Sequence, residues 1–345
     1  MRIGRRAVRT AFAAAAFLSV KGSLDEKTGI EIYKPPRNYA DAPISRKIVN
    51  HADKSGLNLR LYQYQSCPFC CKVRAFLDYY GFSYEVVEVN PVTKSQMSFS
   101  KDYKKVPLLT STEGTFNESS LIISELTTYL KRPDRNLCEI EKLYPTVDAI
   151  NAAGKTVKLC PNKYVIMKEE SNDEDLASER EERKWREWVD DHFIHLISPN
   201  IYRNLSESLQ TFEWFSTYGE WDTNFSTWSR LLAKYMGAFI MYLIAKRLKK
   251  RHNIDDERKA LKDAFKEWID AIGPNRTFMG GSKPNLADLA MYGAMTAFYG
   301  CGAFVEAVES SPIKHWYNAV RLAVQNHEGR DAVARRTAVT AIQSK

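Results

Sequence analysis

The sequence predicts an α/β domain followed by an all-α domain. Three observations predict it. From Leu57 to Leu130 short β-rich runs alternate with runs of helical period. Past Pro133 the strand signals nearly vanish and long helical stretches take over. Between the first strand and the first helix lies Cys67-Pro68-Phe69-Cys70, two cysteines in a strand-turn-helix context.

Leu59-Arg60-Leu61-Tyr62 alternates as a strand does, and Val73, Phe76, Leu77 and Tyr80 recur at three- and four-residue spacing, so Pro68 to Tyr80 reads as a helix. Gly81 ends it. Tyr84 to Val89 supplies a second strand, and Lys94 to Tyr103 an irregular or helical crossover. Val106 to Thr110 is the third strand. Thr115-Phe116-Asn117 is the fourth after a turn at Glu113-Gly114, and Ser119 to Leu130 is an amphipathic helix. The order is β-α-β-α-β-β-α, which contains a βαβ unit. The expected divisions are a targeting or anchor segment at 1–24, a linker at 25–56 and an α/β domain at 57–132. Beyond them come a linker with a hairpin near Gly154 at 133–184, a helical domain at 185–325 and a tail at 326–345.

With 345 residues, 44% of them apolar and 27% charged, the chain can bury a proper core. The net charge of +8 comes from local patches, among them Lys246 to Arg251, and no motif for reading nucleic acid accompanies it, so no nucleic-acid partner is expected. Six cysteines in a chain of this length do not make a disulfide framework, and Cys138, Cys160 and Cys301 have no ligand pair beside them, so no metal is expected. Arg2, Arg5, Arg6, Arg9 and Lys21, with no acidic residue before Asp25, read as a targeting sequence, mitochondrial by first choice and a signal anchor by second, with a disordered basic tail as the plain alternative. The charge-dense stretch Glu169 to Arg183 reads as a solvated loop or helix start. The apolar run Tyr235 to Ala245, about 11 residues, is too short to span a bilayer and reads as buried core.

Cys67 falls at a helix N-terminus, where free backbone N–H groups and the helix dipole favour a thiolate. Pro68 suits the first turn because it has no N–H to satisfy. Cys70, one turn on, either resolves a mixed disulfide or packs as a small apolar residue, and Cys71 reads as structural. Tyr64 either offers its hydroxyl to the thiolate or simply packs. Val106-Pro107 opens a strand with a proline of the kind that is commonly cis beside a reactive thiol. Glu118-Ser119 starts a helix, either as a carboxylate-binding pair or as an N-cap without ligand.

In this order, these three elements resemble the thioredoxin-fold half of a glutathione transferase, giving a thioredoxin/glutaredoxin-like domain followed by a glutathione-transferase C-terminal-like helical domain. Asn285-Leu286-Ala287-Asp288 after Phe278-Met279-Gly280-Gly281 resembles the structural capping box of that superfamily's helical half. More closely, Leu61 to Asp78, Val86 to Pro91, Tyr103 to Leu108, His195 to Tyr202 and Lys234 to His252 resemble the membrane-associated prostaglandin E synthase type 2 family, over Leu57 to Arg321. Cys71 stands where that family usually has serine and Glu118 where it often has aspartate.

The resemblance implies an isomerase (an intramolecular oxidoreductase) acting on a lipid endoperoxide, converting prostaglandin H2 to prostaglandin E2. Cys67 would be the catalytic thiol, Tyr64 and Cys70 its companions, and Phe69 part of the pocket. Glutathione would be held by Val106, Pro107, Glu118 and Ser119, and haem by His195, Arg247 and Arg251. It also implies a homodimer, peripheral or anchored membrane association of Golgi or ER type, and a processed soluble form. A glutaredoxin-like thiol-disulfide oxidoreductase and a non-catalytic scaffold binding haem or glutathione are the alternatives.

Overall fold

The computed structural model describes residues 31–33, 42–100, 103–150, 154, 156–168, 173–309 and 311–343. The expected targeting segment at 1–24 lies outside them. A six-stranded sheet carries the α/β half in the order β1-β2-β4-β3-β5-β6, with β1 at Glu31–Tyr33, β2 at Arg46–Val49, β3 at Leu59–Gln63, β4 at Tyr84–Glu88, β5 at Leu108–Ser111 and β6 at Gly114–Asn117. Strands β3 and β4 run parallel with Leu61 opposite Val86, while β3–β5 and β5–β6 are antiparallel. Among its described residues, the crossover between β4 and β5 contains only a 3-10 turn, Ser95–Met97.

Strands β1 and β2 fall in the segment expected to be a linker. β2 pairs antiparallel with β4, Ile48 opposite Tyr84, and covers what would otherwise be an open edge of the sheet. Of Arg46-Lys47-Ile48-Val49 only Ile48 packs on the core, so no apolar alternation announces the strand.

Helix α1, Pro68–Tyr80, buries Val73, Phe76 and Leu77 against the sheet and ends at Gly81, whose φ of 69° and N–H bonds to the Asp78 and Leu77 carbonyls make a left-handed cap. Helices α2 (Ser119–Lys131) and α3 (Leu137–Glu141) follow, then the hairpin β7 (Val147–Ile150) and β8 (Thr156–Leu159), with Val147 opposite Leu159.

The helical half contains α4 (Asp173–Trp188), a π-helical turn at Val189–Phe193, α5 (Ile194–Ile201), α6 (Leu205–Tyr218), α7 (Trp221–Asn224) and α8 (Thr227–Arg251). It continues through α9 (Glu257–Ile272), α10 (Leu286–Thr296), α11 (Gly302–Val308) and α12 (Ile313–Gln325). Trp185, Trp188, Trp268 and Trp316 interlock at its centre, the last two with ring centroids 5.3 Å apart. α10 packs directly on α1. A Cβ at Gly293 would lie 2.6 Å from the Lys72 Cα and 2.7 Å from the Cys71 carbonyl oxygen, so a glycine there lets the two backbones meet.

Two further expectations are corrected. Within the expected 326–345 tail, Arg330–Gln343 forms a docked helix, α13, which packs against α1 and α2. Val333 is buried, and the Arg336 guanidinium donates to the Arg132 and Arg135 carbonyls. Its few apolar residues sit among charges, which hid the docking face. The run Tyr235 to Ala245 is not buried core. Within α8 the buried residues are Ala233, Ala238 and Ala245, while Tyr235, Met236, Phe239, Ile240 and Leu243 are each about half exposed. The side packed on α6 accepts only small residues, since a Cβ at Gly237 would meet the Phe212 ring at 2.5 Å.

Candidate functional site

Cys67 is the N-cap of α1, with extended backbone (φ −78°, ψ 124°), Pro68 in the first turn, and its own N–H bonded to the Tyr64 carbonyl at 3.0 Å. The partly exposed thiol is lowered from the ordinary thiol range. The main cause is a hydrogen bond from the Cys70 thiol, which outweighs the opposing effect of burial. The Cys70 and Phe69 backbone N–H groups and the Arg74 charge help. Cys70 is buried and moves well above the ordinary range, by burial first and then by its bond to Cys67. The pair is therefore polarised, the thiolate form being favoured at Cys67 and the protonated form at Cys70.

Cys71 points elsewhere. Its sulfur lies 3.4 Å from the Gln65 carbonyl oxygen and 3.0 Å from an Arg74 Nη, and burial pushes its pKa up to about 11. Tyr64 is pushed up to about 12 by burial and then by the Cys67 and Cys70 charges, so its hydroxyl keeps its proton. Among the described residues that hydroxyl makes no hydrogen bond to Cys67. Phe69 is partly buried, with the Lys72 ammonium 5.6 Å above its ring.

The Val106-Pro107 peptide is cis, and Val106, like Tyr64 and Tyr103, packs against the buried cluster that includes Tyr62 and Leu108. Glu118 is the N-cap of α2 with a φ of 69°, a conformation rare for a side chain of this kind. Its carboxylate accepts from the backbone N–H groups of Ser120 (3.4 Å) and Leu121 (3.0 Å), so part of the helix N-terminus is already occupied by the protein's own acid. The Ser119 hydroxyl is buried and has no hydrogen-bond partner among the described residues, which leaves a polar group for a ligand to satisfy.

Tyr103 was not foreseen. It is bonded to the Glu118 backbone and feels the charges of both Cys70 and Cys67, with burial as the larger cause that takes it up to about 12. It therefore joins the start of α2 to the cysteine pair. Its only trace in the sequence is its place just before Lys104-Lys105-Val106-Pro107. Tyr202, at the end of α5, is the helical half's contribution. It is buried and raised by that burial, then by Cys301 and Cys67.

His195, Arg247 and Arg251 form a separate group. The His195 ring stacks on His252 at 4.4 Å, and His195 is lowered by burial first, then by His252 and Arg251. The His252 Nε2 is buried with no hydrogen-bond partner among the described residues, and Arg247 and Arg251 are exposed at the end of α8. Neutral imidazole and two cations suit iron and propionates, but no contact among the described residues links them to Cys67. Asn285 and Asp288 cap α10 reciprocally, and Asp288 also accepts from Met279 N, Gly280 N and the Trp316 indole at 2.9–3.0 Å, so their role is structural.

Residues 61–129, which include the cysteines, the cis-proline and the α2 start, match the glutathione S-transferase N-terminal domain family. The chain is 45% identical to prostaglandin E synthase 2 of Mus musculus over 280 residues, covering 79% of this chain and 71% of that protein. It is 44% identical to prostaglandin E synthase 2 of Danio rerio over 277 residues, covering 78% and 72%. Among solved structures, the beta-etherase LigF of Sphingobium aligns over 80% of this chain and 99% of its own, with 16% identity and a TM-score of 0.45. The chain belongs to the prostaglandin E synthase 2 family.

Proposed function

We propose that this protein is an isomerase that converts prostaglandin H2 to prostaglandin E2 at Cys67, with glutathione bound alongside. The observation that carries the reading is the polarised cysteine pair at the N-terminus of α1 in a member of this family. The reaction has no net redox change. The Cys67 thiolate removes the proton from the ring carbon destined to be the ketone, and that C–H electron pair becomes the carbonyl π bond. The O–O bond breaks, and the departing oxygen leaves as an alkoxide that takes a proton. Tyr64, protonated up to about pH 12, is the near donor, and the proton on Cys67 restores it. Atoms and electrons balance and the enzyme returns to its starting state.

Glutathione is supported by the unsatisfied Ser119 hydroxyl, the Val106-Pro107 turn and the α2 N-terminus. Haem at His195, Arg247 and Arg251 supplies no step here. The test is turnover of prostaglandin H2 by wild type and Cys67→Ser, with and without glutathione. Wild type should form prostaglandin E2 and the variant should lose at least about 100-fold. Equal turnover would sink the proposal.

A second reading, thiol-disulfide exchange, is favoured by the direct hydrogen bond between the Cys70 and Cys67 thiols. Cys70→Ser separates the two, because isomerisation needs only Cys67 and should persist, whereas dithiol reduction of a disulfide should stop.

A further inference from the structure

We infer that Arg74 is a positioning residue for the reaction at Cys67: its guanidinium clamps the turn from which Tyr64 and Cys67 reach the substrate. The inference rests on the isomerase reading given above. Arg74 lies on α1, is 8% exposed, and reaches back toward the N-terminal end of the helix. Each of its two Nη atoms bonds two groups. One donates to the Gln63 and Gln65 side-chain oxygens at 2.5 and 3.0 Å. The other donates to the Gln65 carbonyl at 2.8 Å and to the Cys71 sulfur at 3.0 Å, and that sulfur lies 3.4 Å from the same carbonyl. Gln63 and Gln65 flank Tyr64, while Gln65 and Cys71 stand on either side of Cys67. One planar group therefore fixes the end of β3, the turn and the start of α1 relative to one another.

Further bonds brace the same turn. Glu88, at the end of β4, accepts from Gln65 N at 2.6 Å and from Gln63 Nε2 at 3.2 Å, and Gln63 Nε2 also donates to Gln65 Oε1 at 2.6 Å. Arg46 of β2 donates to that Gln65 oxygen, and Tyr218, from the end of α6, bonds the Gln65 side chain. Among the described residues no carboxylate forms an ion pair with Arg74, and the two glutamines stand between it and Glu88.

A buried cation with no direct counter-ion is a costly way to fill space, and methionine would fill it without that cost. What methionine lacks is a rigid set of donors, and all four acceptors of this set belong to residues 63–71. Lysine would keep the charge near Cys67. As a single ammonium it cannot bridge Gln63, Gln65 and Cys71 together, so it separates the clamp from the charge.

The test compares wild type, Arg74→Lys and Gln63→Met by hydrogen–deuterium exchange and by turnover of prostaglandin H2, at a temperature where melting curves show each protein folded. In Arg74→Lys the amides of Gln65 and Cys67, bonded to Glu88 and to the Tyr64 carbonyl, should exchange at least about tenfold faster, while those of β5 and α9 keep their wild-type rates. The kcat should fall at least about tenfold and KM should move less than about threefold, because Tyr64 and Cys67 are misplaced while the contacts that bind substrate remain. Gln63→Met removes one acceptor and leaves the cation, and should show the same pattern at about threefold, which judges the clamp even where Arg74→Lys does not fold. Exchange that accelerates throughout the chain, or a wild-type kcat in a folded variant, would make Arg74 an ordinary stabilising residue and overturn the inference. Wild type that forms no prostaglandin E2 would refute the isomerase reading instead, and the exchange rates alone would then decide whether Arg74 clamps the turn.

Discussion

Lys72 and Asp190, 118 positions apart, form a buried ion pair that joins the helix carrying Cys67 to the helical half of the molecule. Lys72 also donates to Ser120 Oγ at 2.9 Å. The hydroxyls of Ser120 and Tyr164 donate to the other Asp190 oxygen, so α1, α2, the segment after the hairpin and the π-helical turn meet at one carboxylate. Burial opposes the charge, yet Lys72 and these donors hold the Asp190 carboxyl below its ordinary range. The π-helical turn that presents Asp190 is the kind of helix irregularity that recurs at functional sites.

Asp190→Ala would strand the Lys72 ammonium in the interior and should cost about 3–5 kcal/mol in denaturant unfolding. Replacing both partners, Lys72→Met with Asp190→Leu, should recover most of that loss. If the double variant is as unstable as the single one, the charge on Lys72 is not the cause. Because Ser120 follows Ser119, the single variant should also raise the glutathione concentration needed for half-maximal activity.

The opposite shifts of Cys67 and Cys70 predict a pH profile. The rate of Cys67 alkylation by iodoacetamide should have its midpoint below the ordinary thiol pKa of 9.0, because the hydrogen bond from Cys70 and the helix amides favour the thiolate. Cys70→Ala removes the first of these causes, so the midpoint should move upward. An unchanged midpoint would show that the helix N-terminus alone activates the thiol.

Much of this site was legible because it is local. Cys67, Pro68, Val106-Pro107 and Glu118-Ser119 follow from turn and cap chemistry that acts within a few residues. The Lys72–Asp190 pair, Tyr103 and Tyr202 were not, because their roles come from contacts between distant segments and leave no period or spacing behind. Strand β2 was missed for a related reason, since a short edge strand with one inward apolar residue looks like a charged linker. In α8 the periodicity was legible and its direction was not. Apolar spacing defines a face, and only the small residues opposite it reveal that the face turns outward.

Glu125 supplies a stability prediction with a definite sign. It is 3% exposed on α2, one carboxyl oxygen has no hydrogen-bond partner among the described residues, and burial, then the charges of Glu141 and Glu118, raise it from 4.5 to about 9. The folded state therefore binds this proton more tightly than the unfolded chain. Its contribution is fully present below pH 4.5 and is lost as pH rises toward about 9. Glu125→Gln should flatten that decline and stabilise the protein at mildly alkaline pH by about 1–3 kcal/mol. Thermal melts across the range would test it, and a variant with the same slope as wild type would refute the assignment.

The contact at Gly293 makes the geometry of the thiol depend on the helical half. Adding a methyl group there places it 2.6–2.7 Å from backbone atoms of Cys71 and Lys72, which cannot swing aside as a side-chain tip would. Either α10 or the first turn of α1 must move. Overpacking of this kind costs about 1–3 kcal/mol, and Gly293→Ala should reach the upper end because both sides of the clash are main chain. Displacing the first turn of α1 also changes how its N–H groups point at Cys67, so alkylation at neutral pH should slow along with the loss of stability. Gly302, in the first turn of α11, is the control. No heavy atom lies within 4 Å of a Cβ built there, and Gly302→Ala should be neutral or stabilising by about 0.4–1 kcal/mol without affecting Cys67. Equal alkylation rates in the Gly293 variant and wild type would mean that α10 yields and that the helix carrying Cys67 is held by the sheet alone.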